Sequence, residues 1–359
     1  MKVCFYNAGC GDAFRIEFKG VSGQERNVLI DSGYQRTFQN ILSSEFKSIE
    51  AKGGNIDLCV LTHIHDDHIG GIETYVKAIL ADRANDIILK WWFNSPRPVS
   101  AIPKLQRSGS VAKSINQSDT VTSYLQYKNA LPSSPIISNV VPYEIDGMKI
   151  YVLSPNETGL QRLRDKYRDP KIEVESIEDE KTSRAVAAKS RDYHKTVDEF
   201  DFTGWAEDCN IENGSSIALL TELNEKKILW LADAFPSVIV ANLEALGYSE
   251  SDPLVCDYVK VAHHGSFGNN GSKLFNMIKC QKYILSTDGY NLHGLPSKEC
   301  LVQILNNPFR AINEHYIFYM TSNDNVLNTI FESDGENVYE KLNFELIYPI
   351  NGSGFNIEF

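Results

Sequence analysis

The sequence has no apolar run long enough to cross a bilayer. The longest, Ile87 to Phe93, is interrupted by Lys90 and falls well short of the ~20 residues a membrane helix needs. Nor is a secretory leader expected from Met1-Lys2-Val3-Cys4-Phe5-Tyr6-Asn7, which reads as a strand-like run. The expectation is a cytoplasmic protein with no membrane partner. There is no Cys-x-x-Cys pair either. Seven cysteines at positions 4, 10, 59, 209, 256, 280 and 300 are an odd set, which argues against a disulfide framework and a thiolate zinc site. Most are expected to be reduced core residues. Basic residues are in deficit, 35 Lys and Arg against 47 Asp and Glu for a net charge of −12, so the surface as a whole repels polyanions. Any nucleic-acid contact must then be local. The one candidate patch is 97–128, where Arg97, Lys104, Arg107, Lys113 and Lys128 face a single acid, Asp119. Its plainer reading is a solvated insertion.

What is present is enough apolar residue, 42%, to build a core. Strand-like runs open the chain at 2–7, 13–18 and 27–31, and 56–62 reads as a buried strand. An amphipathic helix is predicted after Gly71, with Ile72, Tyr75, Val76, Ile79 and Leu80 at helical spacing. Strands are expected again at 87–93, 148–153 and 216–221. Two polar stretches, 95–138 and 156–208, interrupt this pattern and read as insertions. The second half alternates strand 227–232, helix 236–246, strand 257–262, helix 272–277, strand 283–286 and helix 297–305. Such alternation means α/β layering. The tail 337–359 is strand-like and a candidate to close one sheet. We read 1–359 as a single domain with insertions near 95–138 and 156–208.

The strongest chemical signal is Thr62-His63-Ile64-His65-Asp66-Asp67-His68-Ile69-Gly70-Gly71, between the buried strand and the helix. Three imidazoles and two carboxylates within six residues cannot all be buried without each finding a partner. A metal satisfies them together, and imidazole with carboxylate suits Zn2+, with Mn2+ an alternative. In a tight turn His63 and His65 point one way and Asp67 and His68 the other, so one or two ions are expected. Asp233 follows the hydrophobic strand Leu229 to Ala232 and is the bridging candidate. The strand 259–262 ends at His263-His264-Gly265-Ser266. One of these two histidines should ligate metal and the other serve as support or proton donor; the sequence leaves the choice open. A lone strand-end histidine would read as structural, but the doubled pair beside the earlier cluster favours function.

These residues resemble the successive metal motifs of the metallo-β-lactamase superfamily. Gly9-Cys10-Gly11-Asp12-Ala13, Leu29-Ile30-Asp31-Ser32-Gly33, Val152-Leu153-Ser154-Pro155, Asn213-Gly214-Ser215-Ser216 and Ala262-His263-His264-Gly265-Ser266 resemble, in order, the hydrolase domain of the ComEC family of DNA-uptake proteins. The resemblance runs from residue 2 to about 305. It implies an αββα four-layer sandwich with the metal site at the sheet edges. Many superfamily members carry a further His between the first cluster and the bridging Asp. Here that interval offers only His194, and the resemblance places Asn213 and Ser216 along the site instead. Asp12 and Asp31 are expected to brace the ligand loop. His293, in a displaced Gly-His-Pro-like segment, is a candidate pocket residue at even odds with a surface loop. His315 reads as structural.

Zinc lowers the pKa of bound water from 15.7 to about 7, and a second ion can clamp the attacked centre. The expected activity is therefore hydrolysis. Asp67 is assigned to ligation and water orientation, Asp233 to bridging, and His263 or His264 to ligation or leaving-group protonation. The resemblance favours a phosphodiester substrate, nucleic acid being one option, with Lys260 and Ser266 compatible with phosphate. Another ester, thioester or lactone is the alternative, as is a non-catalytic metal-binding partner within a multi-gene system.

Overall fold

A computed structural model describes residues 1–97, 102, 117–168, 190–311 and 313–359. Two sheets pack face to face. The first has six strands in the spatial order Gly354–Glu358, Lys2–Tyr6, Phe14–Lys19, Glu25–Ile30, Leu58–Val60, Trp91–Trp92. The second has eight, ordered Phe344–Ile347, Tyr316–Met320, Lys282–Leu285, Tyr258–Lys260, Lys226–Trp230, Ala218–Leu223, Met148–Ser154, Asn139–Ile145. The period-two alternation of strand side chains decides which core each residue joins. Val3 and Phe5 face inward with Phe14, Ile16, Ile150, Leu219 and Trp230 to fill the space between the sheets. Cys4 and Tyr6 face outward, under a helical layer that includes Ile69, Ile72, Tyr75 and Val76. Leu229, Val259 and Leu285 on the second sheet face the other helical layer, with Ile239, Leu243, Leu274 and Leu301. The result is the expected four-layer αββα sandwich.

The strands predicted from hydrophobic runs are present, but several are shorter. Only Leu58–Val60 of 56–62 and Trp91–Trp92 of 87–93 are strand, with an isolated bridge between Ile56 and Ile88. The tail does close sheets: Gly354–Glu358 pairs antiparallel with Lys2–Tyr6, and Phe344–Ile347 pairs parallel with Tyr316–Met320. One boundary moves in a way that matters. The amphipathic helix spans Asp66–Leu80 and starts before Gly70 and Gly71, so Asp67 and His68 sit in its first turn. Its glycines hid this from a propensity reading. They are there for close approach: a Cβ on Gly71 would lie 2.3 Å from the Ser32 carbonyl oxygen. Ser32 enters the helical ladder at that point, its hydroxyl donating to His68 O at 2.8 Å and accepting from Ile72 N at 2.8 Å.

The described parts of the two polar stretches are partly core. Gln117–Tyr127 is helical and buries Val121, Tyr124 and Leu125 against the first sheet's helical layer, and Glu157–Lys166 adds Leu160 and Leu163. At its described ends the candidate basic patch pairs with acids. Arg97 is buried 3.5 Å from Asp119, and Lys128 pairs with Asp86 at 3.1 Å. Lys104, Arg107 and Lys113 lie outside the described residues. The seven cysteines are free, six of them buried and Cys209 exposed. Among the described residues, no helix is long and apolar enough to cross a membrane.

Candidate metal centre

Strand ends bring the candidate ligands to one edge of the sandwich. Asp31 follows Glu25–Ile30, the 62–68 motif follows Leu58–Val60, Asp233 follows Lys226–Trp230, and His263 and His264 follow Tyr258–Lys260. The backbone turns sharply there: Asp31, Ala232, His263 and His264 have φ of 55°, 46°, 43° and 53°. Left-handed conformations at non-glycine residues cost about 1–3 kcal/mol each and gather at functional sites.

The motif forms two facing groups that share Asp233. Asp67, His68, Asp233 and His264 converge in one, and His63, His65 and Asp233 in the other, each with one ligand atom per residue within 4.8 Å of the rest. Around Asp233 Oδ2 stand His63 Nε2 at 3.7 Å, His68 Nε2 at 3.5 Å, His263 Nε2 at 3.7 Å and His264 Nε2 at 3.9 Å. The division of His63 and His65 from Asp67 and His68 is the one the spacing predicts.

The hydrogen bonds outside the cluster fix which imidazole nitrogen faces in. His68 Nδ1 donates to Asp31 Oδ2 at 2.8 Å, leaving Nε2 toward Asp67 and Asp233. His264 Nδ1 donates to Ser286 O at 2.8 Å, which turns its Nε2 to 3.0 Å from Asp67 Oδ2. Thr62 Oγ1 donates to Asp31 Oδ2 at 2.7 Å and so accepts from His63 Nδ1 at 3.1 Å, freeing His63 Nε2 to face His65 Nδ1 at 3.0 Å. The carboxylate behind His68 and the carbonyl behind His264 are the usual way metal-ligating histidines are oriented, and a hydroxyl serves behind His63. Asp31 thus braces two of the three, as expected, and also accepts from Thr62 N at 2.8 Å.

Burial without compensation marks the centre. Asp233 is 1% exposed, yet neither of its carboxylate oxygens has a hydrogen-bond partner, nor does His68 Nε2. In the metal-free protein, protons on histidine are the available counter-charge. Burial alone would push His68 down, but Asp67, Asp233 and Asp31 outweigh it and raise it well above the ordinary range. Burial likewise opposes ionisation of His264, and Asp233, Asp12 and Asp67 raise it to about 9. His63 is pushed well below the usual range by burial, with His68 and His65 adding to the effect. Burial works against the Asp233 carboxylate, but His263, His68 and His264 hold it well below its ordinary value. Buried anions facing paired imidazole nitrogens are a donor set suited to divalent cations with mixed nitrogen and oxygen preference.

The remaining predicted residues divide clearly. Asp12 is buried and pairs with Lys260, which is itself fully buried; its Oδ1 also lies 3.5 Å from His264 Nδ1. Lys260 is therefore a support for Asp12 and is unavailable to a phosphate, contrary to the expectation. Gly11 lets this turn lie against the helix start, since a Cβ there would be 2.6 Å from Asp67 O. Asn213 and Ser216 are buried beside the motif strand, where Ile217 N donates to Thr62 O, and Asn213 Oδ1 and Ser216 Oγ have no partner. Ser266 contributes through its backbone, its N–H donating to His263 O and its carbonyl accepting from Asn270 Nδ2. His293 and His194 are exposed and belong to neither ligand group, so neither supplies the missing histidine. His315 sits at the surface beside Asn343 and Glu345, a structural role as read.

The matched family comes from the first part of this architecture. Residues 13–93 match the model described as Metallo-beta-lactamase superfamily. That span holds Asp31 and the His63, His65, Asp67, His68 motif, while Asp233, His263 and His264 join them through the fold. No curated protein matches the chain. The superfamily domain and the clustered ligands support a metal-dependent hydrolase in general. Thr62, Ser32, Ser286, Asp208 and Asn269 complete the site and were not among the predicted residues.

Proposed function

We propose that this protein hydrolyses phosphodiesters at a centre holding two divalent cations, with Zn2+ preferred and Mn2+ an alternative. His63, His65 and Asp233 would hold one ion, and Asp67, His68, His264 and Asp233 the other. The observation that carries this is Asp233, a buried carboxylate with two unpartnered oxygens common to both groups. Divalent cations there supply Lewis acidity and a lowered pKa for coordinated water, and paired ions suit displacement at phosphorus.

The chain's own residues do the rest. Asp31, Thr62 and Ser286 hold three imidazoles in ligating orientation. Asp12 and Lys260 hold the wall behind His264. His263, its side chain 27% exposed, faces Asp233 from the open side and is absent from both ligand groups. We take His264 as the ligand of the pair and His263 as the residue placed to take up and pass on a proton through Nε2 at the open side. The ordered ComEC-like segments support a phosphodiester over a thioester or lactone.

A non-catalytic metal-binding partner is the second reading, favoured by the three-residue set His63, His65 and Asp233 where many relatives have a further histidine. The deciding experiment assays bis-(p-nitrophenyl) phosphate, single-stranded and duplex DNA and RNA, a phosphomonoester and a thioester with zinc- or manganese-loaded protein. The wild type should turn over the diester, and His65→Ala/Asp67→Ala should lose that activity. Bound metal with no turnover of any substrate would favour the second reading, and turnover of the thioester alone would replace the substrate class.

A further inference from the structure

Asn269 is fully buried on the loop that follows His263 and His264, and its amide makes three hydrogen bonds. Its Nδ2 donates to Asp208 Oδ2 at 3.0 Å and to Asp233 O at 3.1 Å. Both partners are pure acceptors, so both amide protons are spoken for and the orientation of the amide is fixed. Oδ1 is then the atom that faces His263 Nδ1, at 2.8 Å. A carbonyl oxygen only accepts, and His263 Nδ1 must carry the proton. The nearby Asn213 Nδ2, 3.4 Å from the same nitrogen, is itself a donor to Asp208 Oδ2 at 2.7 Å. Two donors facing each other do not bond, so this contact does not compete.

From this network we infer that Asn269 is a positioning residue: it sets the tautomer and ring orientation of His263 so that Nε2 is the nitrogen presented to Asp233 and the open side of the centre. Asp208 anchors the arrangement, accepting from Asn213 and Asn269 together and lying 4.0 Å from His263 Nδ1. Without Asn269 the Nδ1–H loses its close acceptor, and the ring is free to rotate and present Nδ1 in place of Nε2 at the open side. The same amide also ties the His263 loop to the backbone of the shared ligand through Asp233 O. A neutral amide suits this position better than an acid would, since Asp208 already stands on the other side of it.

The tautomer follows from the hydrogen bonds alone; its effect on turnover rests on the hydrolase reading, and the experiment separates the two. Long-range proton–nitrogen correlation spectra of 15N-histidine-labelled, zinc-loaded protein are recorded for wild type, Asn269→Leu and Asn269→Asp, with His263→Gln identifying the His263 signals. In the wild type the His263 proton is expected on Nδ1. Asn269→Leu should convert that single form to a mixture, and where the diester is turned over it should lower kcat about 10- to 100-fold with zinc content unchanged. Asn269→Asp, which keeps an oxygen facing Nδ1, should retain the Nδ1–H form. A wild-type His263 protonated on Nε2, or an Asn269→Leu protein that keeps the pure Nδ1–H form, overturns the inference. The wild-type spectrum decides even if a variant fails to fold. Absence of turnover on any substrate would sink the hydrolase reading and leave the tautomer result standing.

Discussion

Replacing Asp233 by asparagine removes the one carboxylate that both ligand groups share while preserving side-chain size. Asp233 Oδ2 lies 3.5–3.9 Å from four imidazole nitrogens, and neither oxygen has another partner, so the change falls on cation binding. Loss of a residue that only orients a ligand costs 10- to 100-fold in affinity, and a shared anionic ligand should cost at least about 100-fold at each ion. At a zinc concentration 100-fold above Kd each wild-type site stabilises the fold by about 2.7 kcal/mol, so two sites give about 5 kcal/mol. After a 100-fold weakening each retains only about 0.4 kcal/mol. For a chain of 359 residues the unfolding entropy is about 0.75 kcal/mol per degree, so the zinc-dependent rise in Tm should shrink from about 7 °C to about 1 °C. Thermal unfolding with and without zinc measures this, and taking the difference cancels any effect on the metal-free fold. An Asp233→Asn protein with the wild-type zinc-dependent rise would refute the reasoning that makes this carboxylate the shared ligand.

Asp31→Ala, which frees His68 Nδ1 and Thr62 Oγ1, should weaken zinc binding about 10- to 100-fold in a chelator competition; unchanged affinity would remove its bracing role. Lys260→Met leaves the buried Asp12 carboxylate unpaired and should cost about 3–5 kcal/mol in urea unfolding, partly restored by adding Asp12→Asn; an unchanged midpoint contradicts the pairing. The metal-free protein should lose stability as pH rises. His264 is raised from 6.5 to about 9 because Asp233, Asp12 and Asp67 outweigh its burial. Its contribution is therefore complete below 6.5 and lost on passing through about 9, an upper bound of about 3 kcal/mol. Zinc affinity should run the other way and rise with pH, since binding displaces histidine protons. Calorimetry in buffers of different ionisation enthalpy reads that proton release directly.

The ligand motif was legible because its chemistry is dense: five metal-competent side chains within six residues have few other uses. Asp233 and the His263-His264 pair were legible because each ends an apolar strand, and a strand end is where a parallel layer exposes side chains. The division of the first cluster into two groups followed from turn geometry. Lys260 was misread because a lysine beside a ligand loop looks the same in sequence whether it faces solvent or, as here, a buried aspartate contributed from residue 12. The helix start was misplaced because Gly70 and Gly71 weaken propensity, while they allow close approach, Gly71 to Ser32 and Gly70 to Tyr34 and Gln35. Asp208 and Asn269 carried no pattern at all. Asp208 sits in a charge-rich stretch, and Asn269 is one of two adjacent asparagines, so only the packing of the His263 loop reveals what they hold. What orients His263 and His264, Asn269 behind one and Ser286 behind the other, likewise lies in tertiary hydrogen bonds.

The most direct test of the account is anomalous diffraction at the zinc edge from crystals of the zinc-loaded protein. Two peaks are predicted, flanking the Asp233 carboxylate, one against His63 and His65 and the other against Asp67, His68 and His264. No peak at this cluster after zinc loading, or zinc bound elsewhere on the chain, would contradict the central claim.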